Sequence, residues 1–399
     1  LPAIEQALLA DFDERHGGFG SGAKFPHAEA LDFAILRFAQ TADPRLRQIL
    51  ELTLERITAG RLHDAVSGGF FRYCARRDWT GPHTEKPLET NAGLARNLLE
   101  AGQVLDRRDW IELGMGTVAA MQRDLFDDEV GLLHSDRAPD DDYYQLGAAE
   151  RTTRKAPARS GRFSASGNAR AVSALLKAGA VTGEAHWTER ALALAQTLVD
   201  RLWRPGHGMY HVLSGGQRQL PGLLRDQAET ARALLHVLQY GDDRSVLEPL
   251  EDLVEVLAAR HVLPGGDFGD APEQRGSSRR RPREADILHS AVAAEVMLRA
   301  ATCLGRPSLR ELAATALECH ARDFRRWGYA MAAYGRSVEL VLHPPMHIVV
   351  VGPEGDPRTA DLLAAASAWY LPSRVVQRLD PRADAALCER LGVVDHETP

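Results

Sequence analysis

Short and long connections alternate along this chain between segments of helical periodicity, and that alternation restricts the fold more than any single motif. Apolar residues recur at three- and four-residue spacing over 27–40, 44–61, 86–105, 108–125, 166–181, 185–202, 224–240, 243–260, 284–304 and 307–324. The links inside each consecutive pair are a few residues long, at Ala42 and Asp43, Asp106, Gly183, Gly241, and Gly305 with Arg306. Links that short force antiparallel helical hairpins. The links between pairs, 62–85, 126–165, 203–223 and 261–283, are long and therefore gather on one rim.

The long loops repeat a signal. GGFG starts at Gly17, GGFFRY at Gly68, GLLHSD at Gly131, GMYHVL at Gly208, GGDFGD at Gly265 and GYAMAAYG at Gly328. Glycine before an aromatic or apolar residue suits a tight turn into a short strand. Six such units, five complete hairpins and helical segments at both chain ends predict an all-α fold, an (α/α)6 barrel, with an open superhelix of hairpins as the alternative. The end of the chain reads differently: HIVVVG, a helical stretch over 358–370 and SRVVQRLD form a strand–helix–strand α/β element. The expected division is a barrel over 1–340 and a C-terminal extension over 341–399.

Composition excludes several classes. The chain is 44% hydrophobic and 26% charged with net charge −7, values of a globular protein with a sizeable core. The longest apolar run, His347 to Gly352, is too short to span a bilayer, and LPAIEQALLADFDERH lacks the basic start and apolar centre of a signal peptide. A cytoplasmic protein with no membrane contact is expected. The acidic balance opposes nucleic-acid binding, and Arg279, Arg280, Arg281 and Arg283 sit in a Gly/Ser/Pro stretch that reads as a solvated loop. Cys74, Cys303, Cys319 and Cys388 form no CxxC pair, so neither a zinc site nor a redox pair is written here, and no metal or cofactor is expected. Lysine occurs only at 24, 86, 155 and 177 in a chain otherwise using arginine, which singles those positions out.

In a ring of hairpins the first helix of each pair lines the interior, and its N-terminus opens on the long-loop rim. These helices begin polar: His27 and Glu29; His83, Glu85 and Lys86; Asn168 and Arg170; Asp226, Glu229 and Thr230; Asp286 and His289. Converging N-termini favour an anionic or hydroxyl-rich ligand, and a polar, aromatic-rimmed pocket suits a sugar. His83, Glu85, Asp226 and His289 are the candidate acid/base residues, with His83 and Glu85 the favoured pair.

FDERHGGFGSGAKFP (from Phe12) and GGFFRYCARRDWTGPHTEKPLETNA (from Gly68) resemble the two signature regions of the thioredoxin-domain-containing spermatogenesis-associated protein 20 family. That resemblance implies an (α/α)6 barrel related to N-acylglucosamine 2-epimerases and six-hairpin glycosidases, without the family's N-terminal thioredoxin-like domain, which becomes a candidate partner. Among the matched positions, Lys24, Arg72, Tyr73, Trp79, Lys86 and Asn91, together with Asp286 on the 284–304 helix, are the expected substrate contacts. Thr84, Glu89 and Thr90 depart from the family's aromatic, Tyr and Asp, and His289 lies in DILHS where the family has SGNS.

Two functions follow as expectations. One is a sugar epimerase or isomerase in which His83 or His289 moves a proton beside a carbonyl with Glu85 or Asp226 as partner. A glycosidase variant needs two carboxylates about 5–10 Å apart, for which Glu85 and Asp226 are the candidates. The other is a non-catalytic barrel that binds a sugar-like ligand or a protein.

Overall fold

The computed structural model describes residues 1–271, 284–322 and 324–393, with the side chains of 284–286, 324 and 325 outside the described set. Arg279, Arg280, Arg281 and Arg283, and the side chain of Asp286, lie outside the described residues. The barrel helices are α1 (Pro2–Asp11), α2 (Ala28–Thr41), α3 (Pro44–Ala59), α4 (Leu88–Val104), α5 (Arg108–Leu125), α6 (Ala165–Thr182), α7 (Ala185–Leu202), α8 (Leu224–His236), α9 (Leu247–Arg260), α10 (Glu284–Cys303), α11 (Ser308–Cys319) and α12 (Ala332–Leu342). Even-numbered helices form the inner ring. Each packs on the next, and α12 packs on α2, which closes the ring. The first helix, α1, lies outside α12 and supplies the sixth pair, so the two ends of the barrel segment meet.

Burial follows the two-layer design. Inner helices α6 and α8 are buried nearly all round, whereas outer α7 buries one stripe, Ala191, Leu194, Ala195, Leu198, Val199 and Leu202. A helix walled on all sides cannot carry unpaired polar groups without cost, so the polar residues of the inner ring call for a partner or a function.

The glycine repeat has a structural cause. At the start of α4, Asn91 accepts from Phe70 N–H (2.7 Å) and donates to Phe70 C=O (2.9 Å). On α6, Asn168 makes the same pair of bonds with Leu133 at 2.8 and 3.0 Å. Gln227 on α8 does so with Met209 at 2.6 and 2.9 Å. An inner-helix amide thus clamps the short strand of the preceding rim loop, satisfying both backbone groups of an otherwise irregular segment. The glycine beside the clamp leaves room for it. Gly208 has φ +77°, and a Cβ there would sit 2.2 Å from Gln227 Oε1. Gly208→Ala is therefore expected to lower stability by about 1–3 kcal/mol, read as a drop in thermal midpoint; an unchanged midpoint would show that the clamp does not hold the strand.

The C-terminal residues form two parallel strands, Met346–Val351 and Arg374–Leu379, in register from Met346 with Arg374 to Val351 with Leu379. Helix α13 (Pro357–Ala368) connects them, and α14 (Ala385–Leu391) follows. Arg299 on α10 holds this unit to the barrel by donating to Arg374 C=O (2.9 Å) and Pro372 C=O (2.6 Å). Residues 370–372 therefore close the ring's lower mouth, opposite the long loops. No helix among the described residues is long and apolar enough to cross a membrane.

Candidate functional site

Five inner-helix N-termini deliver charged groups to the upper chamber of the barrel. Arg170 on α6 bridges Glu29 on α2 (2.9 Å) and Glu229 on α8 (2.8 Å). Glu89 on α4 accepts from Ser166 Oγ on α6 (2.9 Å) and from Arg225 on α8. Glu229 also accepts from Arg232, one turn along its own helix. Burial opposes ionisation of Glu229, but Arg170 and Arg232 override it and hold that carboxyl down at about 2. Glu29, Glu89, Arg225 and His211 are each about one-quarter to one-third exposed, so the chamber opens to solvent on the rim side.

Two histidines face this chamber in opposite electrostatic states. His211, on the strand Gly208–Ser214, places Nδ1 2.9 Å from Asp226 Oδ2 at the start of α8. That bond holds the His211 pKa above the ordinary imidazole value, and burial of Asp226, whose Oδ1 also accepts from Ser166 N–H at 3.2 Å, disfavours its carboxylate. The pair therefore keeps a shared proton to higher pH than a free imidazole would. His289 on α10 is pushed the other way, by burial first and then by Arg225. Both imidazoles feel the same two charges, Arg225 and Glu89.

A sign follows for pH. A raised folded-state pKa contributes stability that is full below the unfolded value, near 6.5, and fades as pH rises through the folded value. NMR titration of the His211 ring should give a midpoint above 6.5, and Asp226→Asn should bring it back toward that value; a midpoint unmoved by the substitution would remove Asp226 as the cause.

Asp226, through His211, and His289 thus share the field of Arg225 and Glu89, whereas His83 and Glu85 belong to another surface. Glu85 is taken by Arg72, which donates to both its oxygens at 2.9 and 2.6 Å. His83 Nδ1 lies 3.8 Å from Glu85 Oε2, beyond hydrogen-bond range, and its ring stacks on Tyr73 with centroids 5.3 Å apart. Tyr73 in turn stacks on Phe25. His83 and Tyr73 line a rim groove with Asp140, Asp141 and Asp142, which none of Glu85, Asp226 or His289 enters. His83 and Glu85 stay within ion-pair reach, but Glu85, two residues past the strand Pro82–His83, has both oxygens taken by Arg72. Glu85 and Asp226 sit in separate bonded groups.

The conspicuous lysines are structural. Lys24, fully buried, donates to Asp13 Oδ2 and Gly20 C=O, both at 2.9 Å. Lys86 donates to Asp64 Oδ2 (2.6 Å), Ser67 Oγ (3.2 Å) and Gly68 C=O (2.7 Å). All three protons of Lys86 are used within the rim loop, as are those of Asn91 in its clamp. Trp79 is buried with its indole N–H donated to His16 C=O at 2.8 Å. Lys24, Lys86, Asn91 and Trp79 hold the rim loops together in place of the expected substrate contact; of that set Arg72 and Tyr73 remain on the open rim. The sequence singles out neither His211 nor Arg225, and Glu89 only as a departure from the family's Tyr. The signal for His211 was present in the quoted GMYHVL motif, as a histidine on a glycine-led strand.

No protein-family model matches the chain. Human spermatogenesis-associated protein 20 is 33% identical over 124 residues, covering 30% of this chain and 16% of the human protein. Over those 124 residues the chain is similar to spermatogenesis-associated protein 20. The match spans about one-sixth of that relative's length. Among solved structures, cellobiose 2-epimerase from Spirochaeta thermophila superposes with a TM-score of 0.68 at 18% identity, over 85% of this chain and 94% of that one. A D-mannose isomerase superposes with a TM-score of 0.65 at 13% identity, over 86% and 95%. The fold is the α/α barrel of sugar epimerases and isomerases.

Proposed function

We propose that the upper chamber performs acid/base chemistry on a sugar, as an epimerase or isomerase that moves a proton at the carbon beside a carbonyl. The observation that carries this is the opposed state of two imidazoles around one charged pair. Groups whose pKa values are driven apart in one site are matched to acid and base roles. Neutral His289 is the base that takes the carbon-bound proton, and His211, held protonated by Asp226, is the acid that returns one. Arg225 and Arg170 stabilise the negative oxygen that develops on the enolised sugar. Reversible proton transfer of this kind needs two groups flanking one carbon. The resemblance in fold to an epimerase acting on cellobiose and an isomerase acting on mannose supports the substrate class.

The test is incorporation of solvent deuterium into a panel of aldoses and ketoses that includes mannose and cellobiose, followed by mass spectrometry. Exchange that disappears in His289→Gln is the expected result. Absence of exchange across the panel, with sugars still binding in calorimetry, would instead establish the second reading, a sugar-binding barrel without turnover. That reading draws on the mutual pairing of Glu29, Arg170, Glu229 and Arg232, which leaves their charges engaged with one another.

A further inference from the structure

Below the upper chamber, where residues 370–372 close the lower mouth, the inner helices enclose a second, smaller space. A cavity of about 40 Å³ lies among Arg96, Lys177, Arg299 and Arg336, with Glu100 the carboxylate on its wall. That volume holds a few waters or one halide-sized ion. Nothing in the sugar chemistry proposed above uses it.

The charges around it do not balance. Lys177 pairs with Glu100 at 3.6 Å. Asp32 is shared between Arg96 and Arg336, the latter at 2.7 Å. Glu295 is shared among Arg299 (2.9 Å), Arg336 (3.3 Å) and Arg232 (3.8 Å). A fifth cation, Arg374, is 2% exposed; it donates to Ser367 C=O at 2.6 Å and otherwise has the Tyr240 hydroxyl as its neighbour. Among the described residues Arg96, Lys177, Arg299 and Arg336 thus share Asp32, Glu100 and Glu295, which leaves one positive charge in excess, and Arg374, set behind Tyr240, adds a further buried cation. Buried excess charge is unfavourable unless a counter-charge accompanies it.

Two side chains on the cavity wall register the resulting field. His236 is driven well below the ordinary imidazole value by its burial and then by Arg96, Arg232 and Arg299. Tyr240 is made more acidic by Lys177 and Arg374, against the burial that opposes its ionisation. One group resists gaining a positive charge and the other is helped toward a negative one.

We propose that this cavity binds one small inorganic anion, of halide size, which completes the charge balance and pins the C-terminal segment to the inner helices. Its cradle is Arg96, Lys177, Arg299 and Arg336, and its lid is the segment that Arg299 holds through Pro372 C=O and Arg374 C=O.

Melting the full chain in sodium chloride against sodium gluconate at constant ionic strength tests this directly. An anion that binds only the folded state raises the melting temperature with the logarithmic dependence on concentration of a single site. Lys177→Met should flatten that chloride dependence. Crystals soaked in bromide should show an anomalous peak between Arg96 and Lys177, a readout on the unaltered protein that holds even if the variant does not fold. Equal melting temperatures in chloride and gluconate, or bromide crystals without a peak at that position, would overturn the site.

Discussion

Asp64→Ala lowers the stability of the fold by about 3–5 kcal/mol, the usual result of removing one member of a buried charge pair. Asp64 receives Lys86 at 2.6 Å and Arg151 Nη1 at 2.8 and 2.9 Å, all three side chains being almost wholly buried. It also accepts backbone N–H bonds from Val66 (3.1 Å) and Ser67 (3.4 Å). Removing it strands two cations inside the rim loop and frees the turn that leads to the Phe70 clamp. Lys86→Met is milder, since Arg151 still neutralises the carboxylate. Chemical denaturation measures both; equal midpoints for Asp64→Ala and the parent would deny the cluster a structural role. Burial works against ionisation of Asp64, but Arg151 and Lys86 hold its pKa well below the usual carboxylate range. A lowered folded-state pKa gives stability that is present above the unfolded value, near 4, and is lost as pH falls through the folded value. Acid should therefore weaken the parent through this group and leave Asp64→Ala comparatively insensitive below about pH 4.

His289→Gln reduces deuterium exchange into the sugar by about 10²–10⁴-fold, the span associated with a positioned general base. His211→Asn should lower exchange over a similar range and also abolish the alkaline limb of the pH profile, because the proton held with Asp226 is the one that leaves at high pH. Glutamine at 289 preserves size and hydrogen bonding, so the thermal midpoint should stay close to the parent's. His83→Gln is the control: it sits in the separate rim groove with Asp140 to Asp142, and its exchange rate should match the parent. A loss at His83 equal to that at His289 would move the chemistry to the rim groove.

How much of the site was legible depends on the distance over which each partnership forms. His289 stood out because it lies near the start of a helix that is apolar over most of its circumference, and Asp226 because it is an acid at the start of an inner helix. His211 escaped notice because its partner, Asp226, lies across a loop and a turn. His83 and Glu85 drew attention as neighbours in the chain, yet a partner thirteen residues away, Arg72, took the carboxylate. Scarce lysine was a true signal with another meaning. Lys24 and Lys86 are kept as compact ammonium groups, each able to donate to a carboxylate and a glycine carbonyl in one narrow turn, which a planar guanidinium fills less readily.

Helical periodicity and the alternation of loop lengths determined the hairpins, their antiparallel sense and the gathering of long loops on one rim, because these depend on contacts between near neighbours in the chain. The recurring glycines likewise announced a repeated turn. Tertiary structure alone decided that α12 closes the ring on α2 with α1 outside it, that inner-helix amides clamp three of the glycine-led strands, and which of many charges meet. Inside the barrel those meetings occur between residues 59 to 304 positions apart, as with Arg170 and Glu229 or Asp32 and Arg336. Pairing over such separations is set by the radius of the ring, and no local pattern encodes it.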